Sequence, residues 1–348
     1  MSASSRGRRV SLLSEDAGGL VTGGHLYNRR MAEQAVEYGV SMEIVAVNRH
    51  FNLSRATGQV VVDGLVASEL WTGSDVARLP SVTALVHQAP GGVDGDGHSR
   101  RADRWADLAF YKSCDLVIAA SPYLRGQLTT AGISEETIRI VAPGCDIAPV
   151  EPGPVGDMRS GSRLAMINVA NWVPNKGIHL LLDAVEQIPT GEAVLHLVGS
   201  TELDPIYAKT IWSRVGEDVM RRKVVVHGAL PQHRLSRLYA AADLFVLSSR
   251  DEGYPTVVAE ALGFGLPVVA WRSGNLPNLV ESGNQGFLIT PGDVGMLTVT
   301  IRRLAQDDGL RSRLARNAAI RGATLPTWRD AAERFFTALA EVADRGGG

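Results

Sequence analysis

Short apolar runs recur along this chain. Most are followed by a turn rich in Gly, Ser or Pro, and then by a segment whose apolar residues return every three or four positions. Short runs of Val, Ile and Leu between turn residues predict buried strands, and the longer periodic segments predict amphipathic helices. In the first half strands are predicted at 10–13, 43–47, 82–86, 116–119 and 138–141, with a small extra one at 60–62. A helix is predicted from His25 to about Tyr38, with Leu26, Met31, Ala35 and Val36 as its apolar stripe. Others are predicted over 101–112 and from the capped start Ser121-Pro122. In the second half strands are predicted at 164–170, 193–198, 224–226, 243–247, 266–270 and 286–289. Helices follow at Ile178, with Leu181, Leu182 and Val185 on one face, over 206–215, and from about Pro231, with Leu235, Leu238 and Tyr239. Pro255 opens another at its first-turn position, closed by Gly263 and Gly265; the last three cover 294–303, 310–321 and 327–343. Strand, turn and helix in alternation predict an α/β protein with doubly wound parallel sheets.

At 348 residues the chain is long for one core and natural for two domains. The Pro/Gly-rich stretch after residue 148 lacks periodicity and reads as a linker between domains at 1–150 and 160–325. A net charge of −2 gives no general attraction to nucleic acid. The polar start lacks the apolar stretch of a signal peptide, and no apolar run is long enough to span a membrane. Two cysteines, Cys114 and Cys145, fit a reducing compartment, so a cytoplasmic location is expected.

Candidate chemistry gathers where strands end. Glu252 lies in the loop after 243–247 and Glu260 eight residues on, within the helix. Gly253 and Tyr254 precede Pro255, and Gly253 lets a ligand approach the backbone. The amides of Thr256, Val257 and Val258 then face outward at the positive end of a helix, a place for phosphate. Gly23-Gly24 has the position of a phosphate-cradling turn after the first strand, and His87 stands at the carboxyl end of 82–86. Lys176 follows the strand at 164–170. Asp94-Gly95-Asp96, with His98, spells a metal-binding pattern without the remaining ligands and reads instead as a lid or acceptor loop. No metal site is expected.

The string LSSRDEGYPTVVAEALGFGLPVVA at 247–270, with NLPNLV at 275–280 and GFLITPGD at 286–293, resembles the donor site of family 4 glycosyltransferases. The resemblance covers most of 160–345 and, more weakly, 10–145. It implies the GT-B fold: two Rossmann-like domains facing across a cleft, with the C-terminal helix, about 326–345, crossing back to the N-terminal domain. It implies retaining, metal-independent transfer of a sugar from a nucleotide-diphosphate sugar, UDP- or GDP-linked, to an acceptor hydroxyl, with no further cofactor. On this reading Glu252 holds sugar hydroxyls, Glu260 holds the ribose, His87 lies beside the donor sugar, and Gly23-Gly24 lines the cleft. The loop at Gly228, Ala229 and Leu230 meets the base, with Leu230 and Leu235 as apolar walls or as core. Lys176 matches the phosphate-binding lysine of the family, but Asn171 stands in the place of its arginine, and Arg250 is the nearest candidate to supply the missing charge. Arg6, Arg8, Arg9, Arg29, Arg30, Arg100 and Arg101 form a basic face for peripheral membrane docking, or are scattered solvated charges. The competing readings are a sugar phosphorylase, a nucleotide-sugar epimerase, or a non-catalytic subunit of a glycosylation complex.

Overall fold

The computed structural model of the protein describes residues 8–15, 22–47, 56–67, 70, 81–92, 101–146 and 156–345. The DGD motif at 94–96, His98, Arg6, Arg100 and the first half of the Pro/Gly-rich linker lie outside them. The described residues up to Gly144, together with the segment from Pro326, form one compact unit, and those from Cys145 to Leu325 form a second.

The N-terminal unit is built on strands β1 (Arg8–Glu15), β2 (Val40–Val47), β3 (Gln59–Asp63), β4 (Val82–Val86), β5 (Leu116–Ala119) and β6 (Ile138–Ile140). They form a parallel sheet in the order β2-β1-β3-β4-β5-β6. The run at 60–62, expected as a small extra strand, is an interior strand: Val61 pairs with Leu12 on one side and Thr83 on the other. Its flanks, Gln59 and Asp63, are polar, so the sequence showed only its three buried valines.

A second correction concerns Val36. The helix Gly23–Gln34 gives way to a 3-10 turn over Ala35–Tyr38, and Val36 is 80% exposed. Tightening to three residues per turn rotates Val36 off the stripe that Met31 and Ala35 keep. The final helix, Trp328–Arg345, packs within this unit. Trp328, Phe335, Phe336 and Leu339 join Val10, Leu12, Leu85 and Ile118 in one core.

The second unit carries β7 (Leu164–Val169), β8 (Ala193–Val198), β9 (Val224–Gly228), β10 (Leu244–Leu247), β11 (Val268–Trp271) and β12 (Gly286–Ile289), ordered β12-β11-β10-β7-β8-β9. Both faces of this parallel sheet are covered. Leu164 and Met166 enter one core with Leu181 and Leu182; Ala165 and Ile167 enter the other with Tyr239, Phe245 and Leu262. Two-sided burial is why β7 reads as a continuous apolar run. The strand order reverses between β7 and β10, so a crevice opens at their carboxyl ends.

Lys223 shows how a buried charge is held in this unit. It is 4% exposed, and its Nζ donates to the carbonyls of Glu186 (2.9 Å), Ile188 (2.6 Å) and Val185 (3.4 Å) at the end of helix Ile178–Glu186. A cation at the negative end of a helix satisfies carbonyls that otherwise lack donors. Lys223→Met is expected to cost about 2 kcal/mol, which lowers a thermal midpoint by roughly 4–8 °C. An unchanged midpoint in calorimetry would show the cap to be dispensable.

Candidate active site

Loops from β7 and β10 meet at the strand-order reversal of the second unit. The Arg250 amide donates to the Asn175 carbonyl at 2.8 Å, and Asn175 Nδ2 donates to the Asp251 carbonyl at 3.1 Å. Ser248 Oγ lies 3.0 Å from the carbonyls of both Lys176 and Gly177. Across this tied frame Lys176 Nζ donates to Glu252 Oε1 at 2.7 Å.

A third loop, after β11, holds Glu252 from behind. The Asn275 amide donates to the Glu252 carbonyl at 2.8 Å, and Ser273 Oγ donates to the Ser249 carbonyl at 2.8 Å. Gly274, at φ +52°, runs so close to the Glu252 backbone that a Cβ would overlap it. Glu252 is 9% exposed. A carboxylate and an ammonium at this depth, with their backbones fixed on three sides, form a preorganised charged pair.

The helix Thr256–Gly263 follows, and two expectations need correction. Pro255 is its cap, one position before the first turn, because its ψ of 89° is not helical. The Val258 amide donates to the Pro255 carbonyl at 3.0 Å, so the first turn leaves the amides of Thr256 and Val257, not three, as its open donors among the described residues. Gly253 and Tyr254 are half-buried, and Tyr254 packs against the core. Glu260 lies further along the helix, within electrostatic range of Cys145 and of Tyr239, whose hydroxyl donates to the Val257 carbonyl at 3.3 Å. Burial pushes its carboxyl up to about 7, against which the neighbouring Tyr239 hydroxyl pulls downward.

The remaining donor-site candidates of this unit stand nearby. Asn171 follows β7, and its Oδ1 accepts the Ser200 amide at 3.1 Å, which turns the Nδ2 donors outward from that bond. Arg250 is half-buried and close enough to His179 for its charge to lower that imidazole's pKa, though burial of His179 contributes more. Gly228 closes β9, and Ala229 is exposed. The sequence left Leu230 and Leu235 as walls or core. Leu235, 9% exposed, belongs to the apolar core, and Leu230 packs against it.

In the N-terminal unit Gly23 and Gly24 are not a free turn. They are the first residues of the helix, whose N-cap is Thr22 and whose capping partner is His25. A Cβ on Gly24 would lie 3.2 Å from Cδ2 of His87, so glycine lets the imidazole rest against the helix. His87 follows β4, 3.2 Å from Asn28 Oδ1 through Nε2 and edge-on to Tyr27 at 4.9 Å between ring centres. Burial lowers its pKa, with a smaller push in the same direction from His25 and a partial offset from Asp63, which favours the neutral ring.

Several positions escaped the sequence. Asn175, Ser248, Ser273 and Asn275 act through backbone contacts that leave no pattern. Tyr239, next to Glu260, reads as ordinary helix core. His196 and His227, 2.9 Å apart between Nδ1 and Nε2 on neighbouring strands, give no spacing signal because their pairing depends on strand register. Cys114 and Cys145 are both free thiols.

Residues 159–321 match the family model described as glycosyl transferases group 1. The mannosylfructose-phosphate synthase of Agrobacterium fabrum is 30% identical over 249 residues, which cover 68% of this chain and 54% of that protein. The D-inositol 3-phosphate glycosyltransferase of Corynebacterium jeikeium is 27% identical over 325 residues, covering 89% of this chain and 75% of that protein. This chain spans about half the length of most of the curated relatives it matches. Among solved structures, Anabaena HepE in complex with UDP-glucose superposes with a TM-score of 0.78 at 20% identity, over 96% of this chain and 99% of HepE. The fold is that of the GT-B glycosyltransferases, with two α/β domains.

Proposed function

We propose, from the premise that residues 159–321 belong to the group 1 glycosyl transferase family, that this chain moves a sugar from a nucleotide-diphosphate sugar to an acceptor hydroxyl. The anomeric configuration is retained and no metal is needed. The observation that carries this reading is the Lys176–Glu252 pair, 2.7 Å apart where the strand order reverses. In the transfer the bond from the anomeric carbon to the diphosphate breaks, a bond to the acceptor oxygen forms, and the acceptor proton leaves with a phosphate oxygen.

The developing negative charge is met by Lys176, by the Asn171 Nδ2 donors, by Arg250 and by the Thr256 and Val257 amides. When donor binds, Lys176 exchanges part of its bond with Glu252 for phosphate, and Glu252 turns its acceptors to sugar hydroxyls. Glu260 accepts from the ribose, and the Gly228–Leu230 loop meets the base. His87 takes part as a neutral imidazole. HepE was crystallised with UDP-glucose, which supports UDP-sugars as the first donors to try and GDP-sugars as the second.

The experiment is turnover of a panel of UDP-, GDP- and ADP-sugars, with and without chelator, reading released nucleoside diphosphate and product anomer. Retained configuration and chelator-insensitive release are expected. Phosphate-dependent turnover would favour a phosphorylase, epimerised donor an epimerase, and absence of nucleotide binding in calorimetry a non-catalytic subunit.

We also propose a cytoplasmic, peripheral association with anionic membrane. Arg8 and Arg9 are exposed, as are Arg104 and Trp105 on helix Arg101–Ser113. Arg29 and Arg30 contribute less than their number suggests, because both pair with Glu33, at 3.8 and 3.1 Å. Flotation with anionic liposomes should show binding at low salt that weakens at physiological salt. No flotation at either would end the idea.

A further inference from the structure

A buried polar chain stands behind His87, at the reversal of strand order in the N-terminal sheet between β1 and β3. Asp63, at the end of β3, is fully buried, and so is Ser14 on the neighbouring strand. Three neighbours donate to the Asp63 carboxylate: Ser14 Oγ to Oδ2 at 3.1 Å, Asn28 Nδ2 to Oδ2 at 2.6 Å, and the Leu65 amide to Oδ1 at 3.0 Å. Asn28 Nδ2 also donates to Ser14 Oγ at 3.1 Å.

A carboxylate only accepts, so the end of the Asn28 amide that faces Asp63 is the nitrogen. Its oxygen therefore faces His87, 3.2 Å from Nε2. That oxygen has no proton to give, so Nε2 must carry one. In a neutral imidazole the proton on Nε2 leaves Nδ1 bare. The direction of every bond in the chain is thus set by one buried acid two residues removed from the imidazole.

We propose that Asp63 and Asn28 are positioning residues that hold His87 as its Nε2–H tautomer, so that Nδ1 offers a lone pair to a substrate hydroxyl and cannot donate to a phosphate oxygen. The proposal rests on the reading that His87 takes part in sugar transfer, but the tautomer itself does not depend on that reading. Gly24 and Tyr27 hold the ring from its other sides. Asn28 and His87 thereby form the kind of outer partnership that fixes ring orientation in functional histidines.

The test is nitrogen-detected NMR of the full-length protein labelled in its histidines. Wild type should show His87 with a protonated Nε2 and an unprotonated Nδ1; the reverse tautomer would overturn the proposal. Asp63→Asn frees the amide order, because an amide side chain both donates and accepts, and should give mixed tautomers. Its kcat should fall about tenfold or more, with the donor KM changed by less than about threefold. Asn28→Leu should do the same. Ser14→Ala, which leaves the Asn28–Asp63 bond in place, should keep the wild-type tautomer and controls for loosened packing. Folded Asp63→Asn and Asn28→Leu proteins that keep the tautomer, or keep kcat, would reduce the chain to a structural tie. If no nucleotide sugar is turned over at all, the enzymic reading fails while the NMR result still decides the tautomer.

Discussion

Glu252→Ala is expected to lower turnover about a hundredfold to a thousandfold while binding of free nucleoside diphosphate changes by no more than a few-fold. Glu252 is proposed to hold sugar hydroxyls, so its contribution disappears when the sugar is absent, whereas losing a preorganised polar partner of the reacting group typically costs that much in rate. Lys176→Ala should behave differently, because an ammonium facing the diphosphate serves ground state and transition state alike. Nucleoside diphosphate binding should weaken by about tenfold or more, given roughly 1.5–3 kcal/mol for a charge-assisted bond.

The two substitutions also differ in stability. Glu252 is buried and Lys176 less so, with side chains 10% and 26% exposed. Removing the lysine strands a carboxylate in a poorly solvated place, which costs more than removing the carboxylate and leaving a flexible ammonium that can reach water. Lys176→Ala should therefore melt lower than Glu252→Ala, and the double variant should recover part of the loss. Calorimetry and ligand titration of the three proteins read both sets of outcomes. Wild-type kcat/KM in Glu252→Ala would remove that residue from the site, and strictly additive melting shifts would mean that the pair is not coupled in solution.

The elements around this pair were legible because a two-sided parallel sheet writes itself in apolar runs. β8 and β12 were expected at the bounds they have, and β7 and β10 to within a residue. β3 was undervalued because only Val60, Val61 and Val62 face apolar neighbours, while Asp63, its most consequential residue, reads as a turn. Glu252 and Lys176 could be named from their places after strand ends. Their direct bond could not, since 76 residues separate them and only the β7–β10 pairing brings them together. The chain from Asp63 through Asn28 to His87 is lost for the same reason. Asn28 falls off the apolar stripe by which its helix is read, and Ser14 falls just past the expected end of its strand at 13, so nothing in either periodicity says that they meet. The missed supports, Asn175 and Asn275, act through local loop geometry, which side-chain patterns do not encode.

Glu260 ties stability and ligand binding to pH with opposite signs. In the folded protein burial pushes its carboxyl up to about 7 from the ordinary 4.5. Below about pH 4.5 folded and unfolded chains both carry the proton. Between 4.5 and 7 the folded protein keeps it and the unfolded chain has lost it, so stability falls as pH rises; above 7 the penalty is constant, at roughly 3 kcal/mol. Glu260→Gln is neutral at every pH and nearly isosteric. It should melt like wild type at pH 5 and several degrees higher at pH 8. Nucleotide binding should run the other way. Ribose hydroxyls are donors, and the proposed contact needs the carboxylate, so wild-type affinity for nucleoside diphosphate should rise from pH 6 to pH 8 with release of up to one proton per site near pH 6.5. In Glu260→Gln affinity should be lower by about tenfold or more at pH 8, and proton release should fall to the share that comes from the ligand's own terminal phosphate, which ionises at about pH 6. Calorimetric titration in two buffers of different ionisation enthalpy measures that proton directly. Binding that is flat with pH and releases no proton would place the ribose elsewhere, and a wild-type protein no less stable than Glu260→Gln at pH 8 would mean that water reaches the carboxyl and its burial costs nothing.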